Sequence, residues 1–265
     1  MPKTIFKEAY VIFTQIFYRL ALYALVLLSF IAFSPQVFAQ TPNEIIQKYS
    51  DDIKANPNNF EAYNNRGKDY ARIKKYDLAL DDFNKALELN PNYADAYNGR
   101  GNAYYGLGKY DLAIDDYSKA IQINPNYYKP YYNRGIIYYN LDNYEKALDD
   151  FTKVIELNPN FAEAYDSRGK AYGLLEKYDL SIADFSKAIQ INPNYADAYN
   201  NRGNVYLKLL KYDLAISDCN KSIKLNPNSD KAYIIRGIAY LGLGNLIKAI
   251  VDFITAIKYV FGFKG

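Results

Sequence analysis

Residues 90–123 read NPNYADAYNGRGNAYYGLGKYDLAIDDYSKAIQI, and variants of this stretch follow one another along the chain without insertions. The tripeptide Asn-Pro-Asn opens each copy, with prolines 34 residues apart at Pro57, Pro91, Pro125, Pro159, Pro193 and Pro227. A fixed period of this length is typical of repeat arrays, in which each unit packs on its neighbours. Most of the 265-residue chain is therefore predicted to fold as a stack of copies of this one unit.

Small and large residues keep fixed places in every unit, numbered here so that position 1 lies three residues after the proline. Position 8 is always glycine, and positions 4 and 11 are always tyrosine. Position 20 is alanine or serine, position 27 is alanine, serine or valine, and position 24 is aromatic except for Cys219. Each set follows the 3.6-residue helical period, which predicts two helices per unit. Small residues let these helices approach while large ones fill the remaining space.

The residues between the helices indicate where each helix begins and ends. Asn-Pro-Asn ends one helix and starts the next unit, because proline disfavours the helical conformation of the residue before it. Inside the unit the connection often reads Lys-Tyr-Asp, as at residues 109–111. We predict that Asp111 and its equivalents cap the second helix.

These features resemble the tetratricopeptide repeat family, from residue 60 to about residue 263. The resemblance implies an all-α fold, a right-handed α-solenoid of six tandem helix-turn-helix units at residues 60–93, 94–127, 128–161, 162–195, 196–229 and 230–263. The chain departs from the family's usual residues in having tyrosine instead of tryptophan at position 4 and arginine instead of leucine at position 7. Residues 40–59 fit the second half of a unit, with Tyr49 at position 24, and we expect them to cap the stack.

Two opposite charges recur in every unit. Arginine occupies position 7, at Arg66, Arg100, Arg134, Arg168, Arg202 and Arg236. Aspartate occupies position 23, at Asp82, Asp116, Asp150, Asp184, Asp218 and Asp252. Because partly buried charges need partners, we predict an ion pair between the two helices, within or between units.

The composition argues against an enzyme. The chain has no histidine, which excludes imidazole as a base, nucleophile or metal ligand. Cys219 is the single cysteine, so it forms no internal disulfide, and its place at position 24 predicts a packing role. Neighbouring acids such as Asp115 and Asp116 recur in the units and point in different directions on a helix. We expect no catalysis, metal or cofactor.

Residues 1–39 differ from the rest of the chain. Lys3, Lys7 and Arg19 precede the apolar run LALYALVLLSFIAF at residues 20–33, and SPQVFA then leads to Gln40. This order predicts a signal peptide cleaved after residue 39 and an exported protein, periplasmic or secreted. The alternative is an uncleaved segment that anchors the protein to a membrane. Removing it lowers the formal net charge from +3 to +1, because three cations and one anion leave, so no nucleic-acid partner is expected.

The resemblance implies a concave groove lined by the first helices through positions 2, 5, 6, 9 and 12. Asparagine recurs there, and its carboxamide suits the main chain of an extended peptide. The candidate peptide-binding residues are Asn64, Asn65, Asn98, Asn102, Asn133, Asn200, Asn201 and Asn204. The ladder is interrupted at Gly99, Ser167 and Ile235. No window has the lysine and asparagine order of the family's two-carboxylate clamp for chaperone tails.

The last unit is apolar where the others are polar. Ile254 stands at position 25, where the other units have asparagine, serine or threonine. Solenoids normally end in a helix with a polar outer face, so an apolar surface is expected at the C-terminal end. The candidate self-association or docking residues are Val251, Ile254, Val260, Phe261 and Phe263. The alternative is a chain shortened from a longer array.

Together these features predict an exported, non-catalytic protein–protein interaction scaffold or adaptor that binds a peptide or partner subunit in its groove. The alternative function is structural. In that case the C-terminal surface forms a homodimer or joins a membrane-associated assembly, to which the N-terminal apolar segment would also contribute.

Overall fold

The computed structural model describes residues 41–261, which form thirteen α-helices and no β-strand. The helices are α1 (Pro42–Ala55), α2 (Phe60–Arg72), α3 (Tyr76–Leu89), α4 (Ala94–Gly106), α5 (Tyr110–Ile123), α6 (Tyr128–Asn140), α7 (Tyr144–Leu157), α8 (Ala162–Leu174), α9 (Tyr178–Ile191), α10 (Ala196–Lys208), α11 (Tyr212–Leu225), α12 (Asp230–Gly242) and α13 (Leu246–Phe261). None of these helices is long and apolar enough to cross a membrane. The predicted signal peptide and Phe263 lie outside the described residues, as does the side chain of Phe261.

The helices from α2 onward alternate as the first and second helix of each predicted unit, which confirms the tandem helical fold. The two helices of a unit pack together, and each second helix also packs on the first helix of the next unit. First helices of adjacent units touch each other, whereas between residues 60 and 261 no two second helices do. The first helices therefore lie on the inner side of the solenoid.

The predicted packing of small against large residues is confirmed. The side chains at position 20 are fully buried in all six units, and those of Phe83, Phe151 and Phe185 at position 24 are at most 1% exposed. A Cβ added to Gly101 would lie 2.6 Å from the ring of Tyr117 in the same unit. Where position 24 is aromatic, glycine is needed at position 8, because the ring fills the space that a side chain would take.

Asn-Pro-Asn forms a compact stop between units. The backbone N–H of Asn90 donates to the carbonyl of Ala86 at 2.8 Å, and the Asn90 side chain accepts from the N–H of Asn92 at 3.2 Å. The intervening proline has no N–H to leave unsatisfied. The side-chain bond recurs at Asn56, Asn124, Asn192 and Asn226. The tripeptide thus ends the second helix and turns the chain.

The prediction that Asp111 caps the second helix is wrong. Helix α5 already begins at Tyr110, so its N-cap is Lys109 and Asp111 lies in the first turn. The preceding turn determines this start, because position 15 adopts a left-handed conformation in every unit, as in Gly108 with φ of 71°. Lys74, Asp142, Glu176 and Leu210 take the same conformation. In the first turn an aspartate still stabilises the positive end of the helix dipole.

The predicted arginine–aspartate pairs are confirmed, and they lie within each unit. The guanidinium donates twice to the carboxylate, through Nε and Nη2, at 2.7–2.9 Å in all six pairs. Hydrogen bonding to Asp82 raises the pKa of Arg66 above its ordinary value. Arg66, Arg134, Arg168 and Arg202 also lie 5.7–6.0 Å from the rings at positions 4 and 11. Tyrosine and arginine at the two unusual positions therefore stabilise one another.

The third nitrogen of each arginine connects neighbouring units. Nη1 donates to the side chain at position 25 of the preceding unit, at 2.5–3.1 Å, and the acceptors are Ser50, Asn84, Ser118, Thr152, Ser186 and Asn220. Ser50 belongs to α1, so this helix takes the place of a second helix in its contact with Arg66. Each arginine therefore joins the two helices of its own unit and also joins that unit to the preceding one.

Candidate functional site

A large open cleft lies along the first helices α2, α4 and α6. Its volume is about 790 Å³. Tyr105 and Tyr132 contribute aromatic surface, while Lys68, Asn102 and Lys129 contribute donors. The cleft therefore combines aromatic surface with hydrogen-bond donors on the inner side of the solenoid.

The structure places the predicted asparagines at three depths. Asn64, Asn98 and Asn200, at position 5, are at most 5% exposed because the next unit covers them. Asn65, Asn133 and Asn201, at position 6, are half-buried, whereas Asn102 and Asn204, at position 9, are exposed. Asn98, Asn102 and Asn133 line the large cleft.

Many of these carboxamides bind one another instead of facing solvent. Asn133 Nδ2 donates to Asn98 Oδ1 at 3.1 Å and to Asn102 Oδ1 at 3.0 Å. The hydroxyl of Tyr117 donates to the same Asn102 oxygen at 2.7 Å. Asn201 Nδ2 donates to Asp166 Oδ1 at 2.8 Å. The ladder therefore ties neighbouring units together, and the exposed amide groups of Asn102 and Asn204 are its best placed donors to a ligand.

Asp95 is a polar centre of the cleft that the sequence reasoning missed. It accepts from Asn64 Nδ2 at 3.0 Å and from the hydroxyl of Tyr127 at 2.8 Å, and it forms an ion pair with Lys68. Burial raises the pKa of Asp95, but the hydrogen bonds from Lys68 and Tyr127 outweigh it, and the pKa is lowered overall. Burial and the charge of Asp95 raise the pKa of Tyr127. The sequence does contain a pattern that could have revealed this centre, because the acid at position 2 follows a lysine at position 9 of the preceding unit.

The C-terminal helix exposes the predicted apolar surface as far as it is described. Val251, Ile254 and Val260 are 57%, 62% and 55% exposed, and the neighbouring Ile247 is 78% exposed. Ile254 stands at position 25, where the side chain of each preceding unit accepts a hydrogen bond from the arginine of the following unit, as Asn220 does from Arg236. Ile247 stands at position 18, where the other units have aspartate or glutamate. The outer face of α13 thus differs in chemistry from that of every other second helix.

The described residues contain no cluster of three or more acids, cysteines or histidines suited to a metal ion. Cys219 is fully buried, and burial raises the pKa of its thiol to about 12. The thiolate is the reactive form, so a thiol with this pKa is unreactive at neutral pH. Cys219 therefore packs like the aromatic residues it replaces.

Comparison with known proteins gives the family. A tetratricopeptide repeat model matches residues 60–93, 94–127, 128–161 and 196–229, which is four of the six predicted units, and a second model of the repeat matches residues 174–209. No curated protein sequence matches the chain.

Solved structures of repeat proteins resemble the chain. A structure of MamA is 30% identical with a TM-score of 0.57, covering 61% of this chain and 95% of its own. YrrB, titled a TPR protein with an unusual peptide-binding site, is 27% identical with a TM-score of 0.59, covering 69% and 95%. A tetratricopeptide repeat protein from Parabacteroides merdae is 25% identical with a TM-score of 0.61, covering 82% and 87%. With just over half of its residues matched by the first model, this chain belongs to the tetratricopeptide repeat family.

Proposed function

We propose that this chain is an exported adaptor that binds an extended segment of a partner protein in the groove of its first helices. Family membership and the resemblance to MamA and YrrB support a protein–protein interaction scaffold. The observation that carries the finer proposal is the cleft of about 790 Å³ along α2, α4 and α6. Its tyrosines offer rigid contact area, and its exposed amides can bond a peptide main chain.

Export is supported by the basic, apolar and small-residue order of residues 1–39. N-terminal sequencing of the protein from its native host tests this part. A chain that starts at Gln40 agrees with a cleaved signal peptide, whereas one that retains these residues supports a membrane anchor.

The groove is tested by crosslinked capture of partners from the native host with Asn102→Asp and Asn204→Asp combined. Aspartate keeps the oxygen that accepts from Asn133 and Tyr117 but removes the exposed amide donor. Loss of a peptide hydrogen bond at each site predicts at least about a tenfold drop in captured partner.

The matched control makes the same amide-to-carboxylate change on the second helices α5 and α9. Gln122→Glu with Gln190→Glu alters two exposed residues outside the groove and should leave capture unchanged. Equal capture by the groove variant and wild type would contradict the proposal.

A second function, self-association through α13, is favoured by its exposed isoleucines. Ile247→Asp with Ile254→Ser gives this helix the residues that Asp111 and Ser118 supply in the second unit. We expect the wild-type molar mass in sedimentation to rise with concentration and the variant to stay monomeric, since about 25 cal/mol is lost per Å² of apolar contact. A wild-type chain that is monomeric at every concentration would refute self-association, and its cosedimentation with lipid vesicles would assign the surface to a membrane.

A further inference from the structure

Two groove positions repeat every three units instead of every unit. Position 2 runs Glu61, Asp95, Lys129, Glu163, Asp197 and Lys231. Position 9 runs Lys68, Asn102, Ile136, Lys170, Asn204 and Ile238. The same order of residue types thus occurs twice, with a period of three 34-residue units, or 102 residues. At positions 2 and 9 the two halves of the array therefore carry the same residues.

The structure shows the same period independently. A second cleft, of about 290 Å³, has twelve lining residues, and eight of them lie 102 residues after a residue that lines the large cleft. Among them Lys170, Asn204 and Lys231 correspond to Lys68, Asn102 and Lys129. The two clefts therefore lie at corresponding places in units one to three and in units four to six, although Tyr139 of unit three also lines the second cleft.

Both clefts are lined by more basic than acidic side chains. Lys68, Arg72 and Lys129 line the large cleft with one acid, Asp95, whereas Lys170, Lys208 and Lys231 line the second with none. Lys68 and Lys170 already pair with Asp95 and Asp166.

Lys129 and Lys231 are exposed, and neither forms an ion pair within residues 41–261. Each cleft thus combines an available ammonium group with the exposed amide of Asn102 or Asn204. This donor set favours a carboxylate.

We propose that the two clefts are equivalent sites for acidic segments of a partner protein, with Lys129 and Asn102 binding one carboxylate and Lys231 and Asn204 the other. This inference rests on the proposed groove function and adds the chemistry of the ligand and the number of sites. The large cleft also presents Tyr132, whereas Ile234 is the equivalent residue after 102 positions. The lysine and asparagine that bind the carboxylate are thus the same at both sites. The apolar ligand residue next to that carboxylate is expected to differ between them. A partner with two acidic segments gains avidity by occupying both sites.

The test uses a fluorescein-labelled peptide of four Glu-Tyr repeats, with four Gln-Tyr repeats as the neutral probe. Wild type should bind two acidic peptides per chain in titration calorimetry and fluorescence anisotropy. Its affinity should fall with added salt, and the neutral probe should bind at least about tenfold more weakly because it lacks charge-assisted hydrogen bonds. Lys129→Glu and Lys231→Glu should each leave one site, and the double variant none.

The matched control is Lys119→Glu with Lys187→Glu, which makes the same charge change at exposed lysines of the second helices and should keep two sites. The inference is overturned if wild type does not bind the acidic probe, if both probes bind equally, or if the single variants keep two sites. If one of these results is obtained but partner capture still falls in the Asn102→Asp and Asn204→Asp variant, the proposed groove function stands without the acidic ligand. If capture does not fall either, both proposals are refuted.

Discussion

Replacing Asp150 with alanine is expected to lower the free energy of unfolding by about 3 kcal/mol, because it leaves the charge of Arg134 partly buried without a partner. Asp150 accepts from Nε and Nη2 of Arg134 at 2.9 and 2.7 Å, and the side chains are 6% and 19% exposed. Urea unfolding measures the loss, and amide hydrogen exchange should locate it in α6 and α7, because repeat units depend mainly on their neighbours.

The neighbouring Asp149 provides the control. It is exposed, so Asp149→Ala should change stability by less than about 0.5 kcal/mol. Replacing both charges, with Arg134→Met and Asp150→Leu, should recover much of the loss, since no unpaired charge remains. An Asp150→Ala variant as stable as wild type would contradict a structural role for the pair.

Alanine at position 8 is expected to have opposite effects in two units. In Gly101→Ala the new Cβ would lie 2.6 Å from the ring of Tyr117, which is 1% exposed and cannot move aside. Overpacking of this kind costs about 1–3 kcal/mol, which outweighs the higher helix propensity of alanine. In Gly203→Ala the nearest atom is Cys219 Sγ at 3.3 Å. That variant should be stabilised by up to about 1 kcal/mol.

Thermal unfolding of the two variants measures this difference. Adding Cys219→Phe to Gly203→Ala should abolish the gain, because it introduces the aromatic ring that all five other units have at position 24. If Gly203→Ala were destabilised as much as Gly101→Ala, the residue at position 24 would not determine the effect.

The helices and their core contacts were predictable because steric fit within one unit leaves a trace in the sequence. Gly101 opposite Tyr117 is one example, and Arg134 opposite Asp150 is another. The acceptor role of position 25 was not predictable in the same way, because it depends on how one unit lies on the next. The start of α5 at Tyr110 depends on the left-handed residue at position 15, which is glycine only in Gly108 and Gly244.

The candidate site was only partly predictable for the same reason. Asparagines at position 5, such as Asn64, belong to the first helices as expected, but the next unit buries them. The exposed donors at position 9 were among the predicted residues, at Asn102 and Asn204. Lys129 and Lys231 became candidates only because the structure shows that they line the same two clefts as these amides. The spacing of 102 residues between these lysines is present in the sequence, but only the structure shows that each of them lines a cleft.

The central claim is that the inner surface of the first helices holds a partner protein, and site-specific photo-crosslinking in the native host tests it most directly. The photoreactive residue p-benzoylphenylalanine would replace Tyr105, an exposed residue that lines the large cleft, in one variant and Gln122, exposed on the second helix α5, in the other. We predict a covalent adduct with a single partner from position 105 and none from position 122. Adducts from position 122 alone, or the same products from both positions, would contradict the account.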